Sequence, residues 1–189
     1  MKKAFLQILI FLLTIINCGI AQNMNQRVIM KNTITEKQID SLDGIDLIHE
    51  VFVSIAGKWN NSFKSKSAFV ESLPEEQKLV YAIWVLDMNV KNGGFQQYYY
   101  NSNGALYDLS ANAAKEMEMD KVFEIITNAN KIFLKDNSEN SEISFSDKQI
   151  DELSIFNRQY YQADTDKYIY KSIANYIKTN KAMFITKEN

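Results

Sequence analysis

Three groups of side chains in this 189-residue sequence could do chemistry. Glu75, Glu76, Asp87, Glu116, Glu118 and Asp120 are carboxylates able to act as general acids or bases. Each is placed as a helix-end or solvent-face charge would be, so structural roles are the expectation for all six. His49 is the only histidine, and it stands alone on a helical face. No Gly-x-Ser-x-Gly elbow and no HExxH pair occurs. The balance is therefore against an enzyme, no catalytic residue is named, and no cofactor is expected. Asp136, Ser138 and Asn140 occupy positions 1, 3 and 5 of a partial calcium loop, with Ile143 at position 8 and Asp147 at position 12. Ser141 stands where that loop needs a sharp-turn glycine, and Asp147 is shorter than the bidentate glutamate. An ordinary solvated connection between helices is the expectation, without a metal.

The third group is a set of carboxamides within the stretch from Lys91 to Gly104, which also carries two adjacent glycines and four aromatics. Asn92, Gln97, Asn101 and Asn103 alternate there with tyrosines. Gly93 and Gly94 adopt positive φ at little cost and suit a sharp end to a helix. Phe95, Tyr98 and Tyr99 follow at i, i+3 and i+4, one face of a short helical segment. Asn101-Ser102-Asn103-Gly104 is a second turn. Two readings of the amides compete. They could bond backbone groups left free at two helix ends, which is the favoured reading. They could also form a recognition patch, with Asn92, Gly93, Gly94, Phe95, Gln97, Tyr98 and Asn101 as its residues.

Asn92-Gly93-Gly94-Phe95, then Gln97-Tyr98-Tyr99, then Asn101-Ser102 and Gly104, resembles the signature of a bacterial domain family of unknown function. This is the DNA-mimic-protein type family, which includes a small acidic helical protein that occupies the DNA-binding surface of a transcription factor. The resemblance runs from about Ile45 to about Tyr161 and is sharpest between Pro74 and Gly104. It implies an all-helical fold, with a homodimer among the states allowed, and it implies no catalytic site.

Composition agrees with helices. Hydrophobic residues make up 46% and aromatics 12%, enough for a sizeable core, while one proline and six glycines disfavour many short strands. The ten tyrosines are expected to pack their rings inward with hydroxyls reaching the surface. Met1-Lys2-Lys3 followed by apolar Ala4 to Ile16 reads as a signal peptide over residues 1–21, with cleavage before Gln22. Lipidation at Cys18 is the rival, although Asn17 is larger than the residue normally found before a lipidated cysteine. The product would be secreted or periplasmic, free of the membrane, and without any cysteine. Without Lys2 and Lys3 the chain has 19 basic against 23 acidic residues, a net of −4. A convincing mimic of DNA needs about one unopposed charge per 1.7 Å. Lys115, Lys121, Lys131 and Lys135 are instead interleaved with the acids, so neither nucleic-acid binding nor DNA mimicry is expected.

The elements that must position these groups follow from periodicity. Residues 22–42 read as a polar lead-in, 43–184 as a single compact all-α bundle of about six or seven helices, and 185–189 as a frayed tail. Ile45, Ile48, Val51, Phe52, Ile55 and Trp59 mark a first helix, and Asn60 to Ser67 a polar loop. Pro74, Glu75 and Glu76 open a central helix whose stripe is Leu79, Ile83, Leu86 and Val90, widened by Val80, Trp84 and Met88. Further helices are marked by Leu109–Met117, by Asp120–Phe133, by Ile150, Leu153, Phe156 and Tyr160, and by Ile169, Ile173, Tyr176 and Ile177. The function expected is an exported, non-enzymatic domain that binds an unidentified protein. The alternative is an envelope enzyme or small-ligand binder using carboxylates and amides near Asn92–Gly104.

Overall fold

The computed structural model describes residues 33–137 and 142–185. The proposed leader, Cys18, and residues Ser138 and Asn140 of the partial calcium loop lie outside them, as does the side chain of Asp136. Among the described residues there are eight α-helices and no strand. They are α1 (Glu36–Ser41), α2 (Gly44–Ala56), α3 (Lys66–Glu71), α4 (Glu75–Ser102), α5 (Tyr107–Glu116), α6 (Asp120–Asn137), α7 (Asp147–Ala163) and α8 (Tyr168–Thr179). The six longer ones are those the periodicity predicts.

Two short helices escape periodicity because six residues make less than two turns. α1 lies in the supposed lead-in, opened by a capping box in which Thr35 and Gln38 each bond the other's backbone. Ile34 and Ile39 are buried, so the packed body begins ahead of residue 43. α3 falls in and beyond the expected polar loop, with the Ser65 hydroxyl accepting from Ala68 N at 3.1 Å. Trp59 and Ile45 are also placed differently from the expectation. α2 ends at Ala56, leaving Trp59 in the following loop against Phe63 and Phe69, and both Trp59 and Ile45 are exposed.

The bundle is built around α4, which packs against α5, α7 and α2, while α6 bridges α5 and α7 and α8 closes over α2. Contact on several sides explains why α4 buries the wide stripe of Leu79, Val80, Ile83, Trp84, Leu86 and Val90. Fully burying one such side chain stabilises the fold by about 1.5–3 kcal/mol, so this helix contributes heavily.

Candidate functional site

Gly94 sets the geometry of the corner. It has φ +80 and ψ −178, a conformation open almost only to glycine, whereas Gly93 keeps a negative φ of −156. The helix therefore breaks into two arms, Glu75–Asn92 and Phe95–Ser102. Asn157 of α7 holds the break, its Oδ1 accepting from Phe95 N at 2.8 Å. The second corner is capped by Asn103 in the left-handed region (φ 50) and by Gly104 (φ 68).

The seven patch residues divide into two populations. Gly94, Phe95 and Tyr98 are buried and cannot touch a partner, which corrects their assignment to a contact surface. The physical reason is that the second arm is wedged among α5, α6 and α7. Tyr99 stacks on Phe133 with centroids 4.4 Å apart, and Phe95 meets Tyr160 edge-on at 5.9 Å. Asn92 and Gly93 are exposed, and Gln97 and Asn101 are half-buried.

These remaining amides form a connected set. Asn92 Nδ2 donates to Gln97 Oε1 at 3.0 Å. Gln97 Nε2 and Asn101 Nδ2 both donate to Asn89 Oδ1, at 3.4 and 2.6 Å, and Asn89 Nδ2 donates to the Val85 carbonyl at 2.7 Å. In a straight helix Asn89 and Asn101 would stand about 18 Å apart along the axis, beyond the reach of two asparagines. Their hydrogen bond shows that the arms fold toward each other and that the amides line the inside of the elbow. Asn89 was missed from sequence. It lies three residues before Asn92 and eight before Gln97, spacings that share a face of a straight helix, but twelve before Asn101, which only the kink brings within reach.

The hydroxyls of Tyr98, Tyr99 and Tyr160 turn inward, contrary to expectation. Tyr98 shares a 2.8 Å bond with Ser110 Oγ, which donates on to the Ala82 carbonyl at 3.1 Å. Tyr99 donates to Asn130 Oδ1 at 2.9 Å, and Asn130 Nδ2 donates to the Tyr107 carbonyl at 2.8 Å. Tyr160 donates to Asp87 Oδ1 at 3.1 Å. Burial raises the pKa of all three tyrosines above the ordinary phenol value. A folded pKa above the unfolded one gives stability that is complete below about pH 10 and is lost as pH rises through the folded value. Ultraviolet titration is thus expected to show Tyr98, Tyr99 and Tyr160 ionising only in a cooperative step, together with loss of helical circular dichroism. Smooth non-cooperative titration of all ten would contradict the sealed core.

Asp87 is the carboxylate whose setting differs most from the expectation. It is fully buried rather than on a solvent face. Lys91 lies 2.9 Å from Asp87 Oδ1 and 2.7 Å from Asp164 Oδ2, with its ammonium 4.0 Å from the centre of the Tyr170 ring. Asp164 also accepts from Ile169 N at 2.9 Å, tying the end of α7 to the start of α8. Burial pushes the Asp87 pKa up, and Lys91 and Tyr160 pull it partly back. Burial alone would lower Lys91, but the two carboxylates reverse this and hold it charged. The cluster is a brace from α4 to the α7–α8 junction, and its charges are spent on one another.

The other sequence candidates stay apart. Glu75, Glu116 and Asp120 sit at helix ends, Glu118 in the α5–α6 turn, and His49 on α2 beside Glu50 at 3.9 Å. Asp147 is the first residue of α7. No group of three metal-binding side chains occurs among the described residues. A separate cleft of about 760 Å³ lies between α3, the start of α4, α5 and α6. Its walls include Glu71, Glu75, Lys78, Lys115, Thr127 and Lys131, with Lys78 between Glu71 (3.6 Å) and Glu75 (3.5 Å).

Comparison with known proteins places the chain. Residues 71–180 match the family described as DMP19-like protein, a span that covers α4 to α8 and hence both arms of the elbow. The chain belongs to the DMP19-like family. Neither the curated proteins nor the solved structures contain a match to it.

Proposed function

We propose that this DMP19-like protein is an exported, non-enzymatic interaction domain that engages another protein through the inside of the α4 elbow. The observation that carries this reading is the division of labour at the corner. Phe95, Tyr98 and Tyr99 anchor it in the core, while Asn92, Gln97 and Asn101 remain accessible and held in place by one another. Preorganised polar groups on a rigid base lose little entropy on binding. The groups best suited to acid–base chemistry, Asp87 and Lys91, are locked in a buried ion pair. A role as DNA mimic is disfavoured by neutralisation of the acids. Glu71 and Glu75 face Lys78, Glu36 and Asp40 face Lys181, and Asp43 pairs with Lys178. Such interleaving of lysines with carboxylates weakens the dense field a mimic requires.

A second reading, small-ligand binding, is favoured by the cleft, whose volume lies within the usual range for ligand sites. One experiment separates the two. The exported product is purified, its amino terminus sequenced, and the mature domain used as bait in envelope extract beside a Gln97→Ala, Asn101→Ala variant of verified fold. The expected result is a chain beginning at Gln22 and a partner that binds the wild type saturably and is lost with the variant. Intact Met1 in the cytoplasm would overturn export. A partner retained by the variant, or turnover of a small substrate with no partner, would overturn the elbow as an interaction face.

A further inference from the structure

Gln97, Asn101 and Asn92 do not exhaust their hydrogen-bonding capacity on one another. A carboxamide offers two N–H donors and two acceptor lone pairs. Among the described residues Asn92 donates one bond, Asn101 donates one, and Gln97 donates one and accepts one. Each therefore keeps a donor and an acceptor, and none is buried. Asn89 alone is closed off, its Oδ1 filled twice and its residue buried. It serves as the fixed point that aims Gln97 and Asn101.

We infer that the elbow recognises the main chain of an extended peptide segment, each accessible amide pairing with one peptide group. This rests on the reading of the elbow as an interaction face. Three features favour a peptide main chain. A carboxamide is chemically half of a peptide unit and offers donor and acceptor together, which is what an extended residue presents along its edge. Gln97 Nε2 and Asn101 Nδ2 converge on the one Asn89 oxygen, at 3.4 and 2.6 Å, so the two amides stand no more than about 6 Å apart, while same-side groups of an extended chain repeat every two residues, about 6.6–6.8 Å. Two amides can therefore hold alternate residues of one strand edge with small adjustments. The amides are also uncharged, so they select dipolar groups over phosphate or sulfate. Lys66 Nζ lies 3.5 Å from the backbone carbonyl of Asn101 at one end of the set.

The partner is thus a linear, accessible segment of another protein, bound with little dependence on its side chains. Because the contacts are to main chain, they fall in register along one edge. Recognition should then depend on which peptide N–H groups exist rather than on sequence.

The probe is a displayed library of unconstrained linear dodecapeptides, selected on the mature domain. The best binder is resynthesised with N-methyl groups on odd residues and, separately, on even residues. Methylation in one register is expected to weaken binding by about tenfold or more, with a much smaller effect in the other. Gln97→Leu and, independently, the exposed Asn92→Leu should weaken the unmodified peptide by a similar factor, with folding confirmed by circular dichroism. Equal effects of the two registers would overturn main-chain recognition, as would peptides indifferent to both variants. A domain that captures its folded partner through Gln97 and Asn101 but selects no linear peptide would overturn this inference and leave the interaction reading intact. Loss of both would overturn both.

Discussion

Gly94→Ala lowers the unfolding free energy by about 3 kcal/mol, and Gly94→Val by more, because two separate penalties meet at this residue. The first is conformational. At φ +80 and ψ −178 any L side chain is strained, at a cost of order 1–3 kcal/mol. The second is steric. A Cβ at Gly94 would run into the Asn157 carboxamide, whose Cγ and Oδ1 would lie at 2.8 and 2.9 Å. Asn157 would have to move, and its bond to Phe95 N would break, leaving a buried donor unpaired at about 1–3 kcal/mol. Gly93→Ala is the control. Its φ is negative, and its new Cβ would meet Gln97, whose amide would have to leave Asn92 and Asn89 but whose lost bonds are partly replaced by water, so a smaller loss of about 1 kcal/mol is expected. Urea denaturation of the pair checks both. Equal losses would mean that the kink is not centred on Gly94.

Lys91→Met costs about 3–5 kcal/mol at pH 7, although it replaces a charged side chain with one of similar length and greater hydrophobicity. The wild-type ammonium offsets the charge of a carboxylate that has no access to water. Without it, Asp87 is left with the Tyr160 hydroxyl alone. Its escape is to take up a proton. From an ordinary pKa near 3.9 that costs about 4 kcal/mol at pH 7, which limits the penalty of the unpaired charge itself. The sign of the pH dependence follows. In the variant the folded pKa of Asp87 lies above the unfolded value, so stability is recovered as pH falls through that folded pKa toward the unfolded one. Denaturation at pH 7 and at pH 4.5 should therefore show a large loss that shrinks in acid. The double variant Asp87→Asn, Lys91→Met should be closer to wild type at pH 7 than Lys91→Met is. A single variant within about 1 kcal/mol of wild type at both pH values would mean that the brace carries no such weight.

Much of the architecture is local and was legible in the chain. Pro74 with Glu75 and Glu76 opens α4, and Asp120 opens α6, because caps and first-turn charges act within a few residues. The break at Gly93–Gly94 and the turn at Asn103–Gly104 are equally local, since a left-handed or extended conformation open to glycine is a property of one residue. What periodicity cannot tell is which of two adjacent glycines bends. That is decided by Asn157, brought from 62 residues away to bond Phe95.

The site depended far more on tertiary structure. Asp87 looks like a surface charge because sequence spacing reports faces of a helix relative to its own apolar stripe. α4 is enclosed by α2, α5 and α7, so a residue off that stripe still meets protein rather than water. Its partner Tyr160 arrives from 73 positions later in the chain, Asp164 reaches Lys91 from 73 positions beyond that lysine, and only Lys91, at i+4 from Asp87, was near enough to be seen. The tyrosines follow the same logic. Their rings were predictably inward, but whether a hydroxyl reaches water or Ser110 and Asn130 depends on how α5 and α6 pack against the second arm. Three of the elbow's four amides could be listed from sequence, and the bend that gathers them around Asn89 exists only in three dimensions. Local backbone preference determined where this chain turns. Which polar groups those turns seal away and which they leave facing solvent was decided by packing, because burial belongs to neighbours distant in sequence.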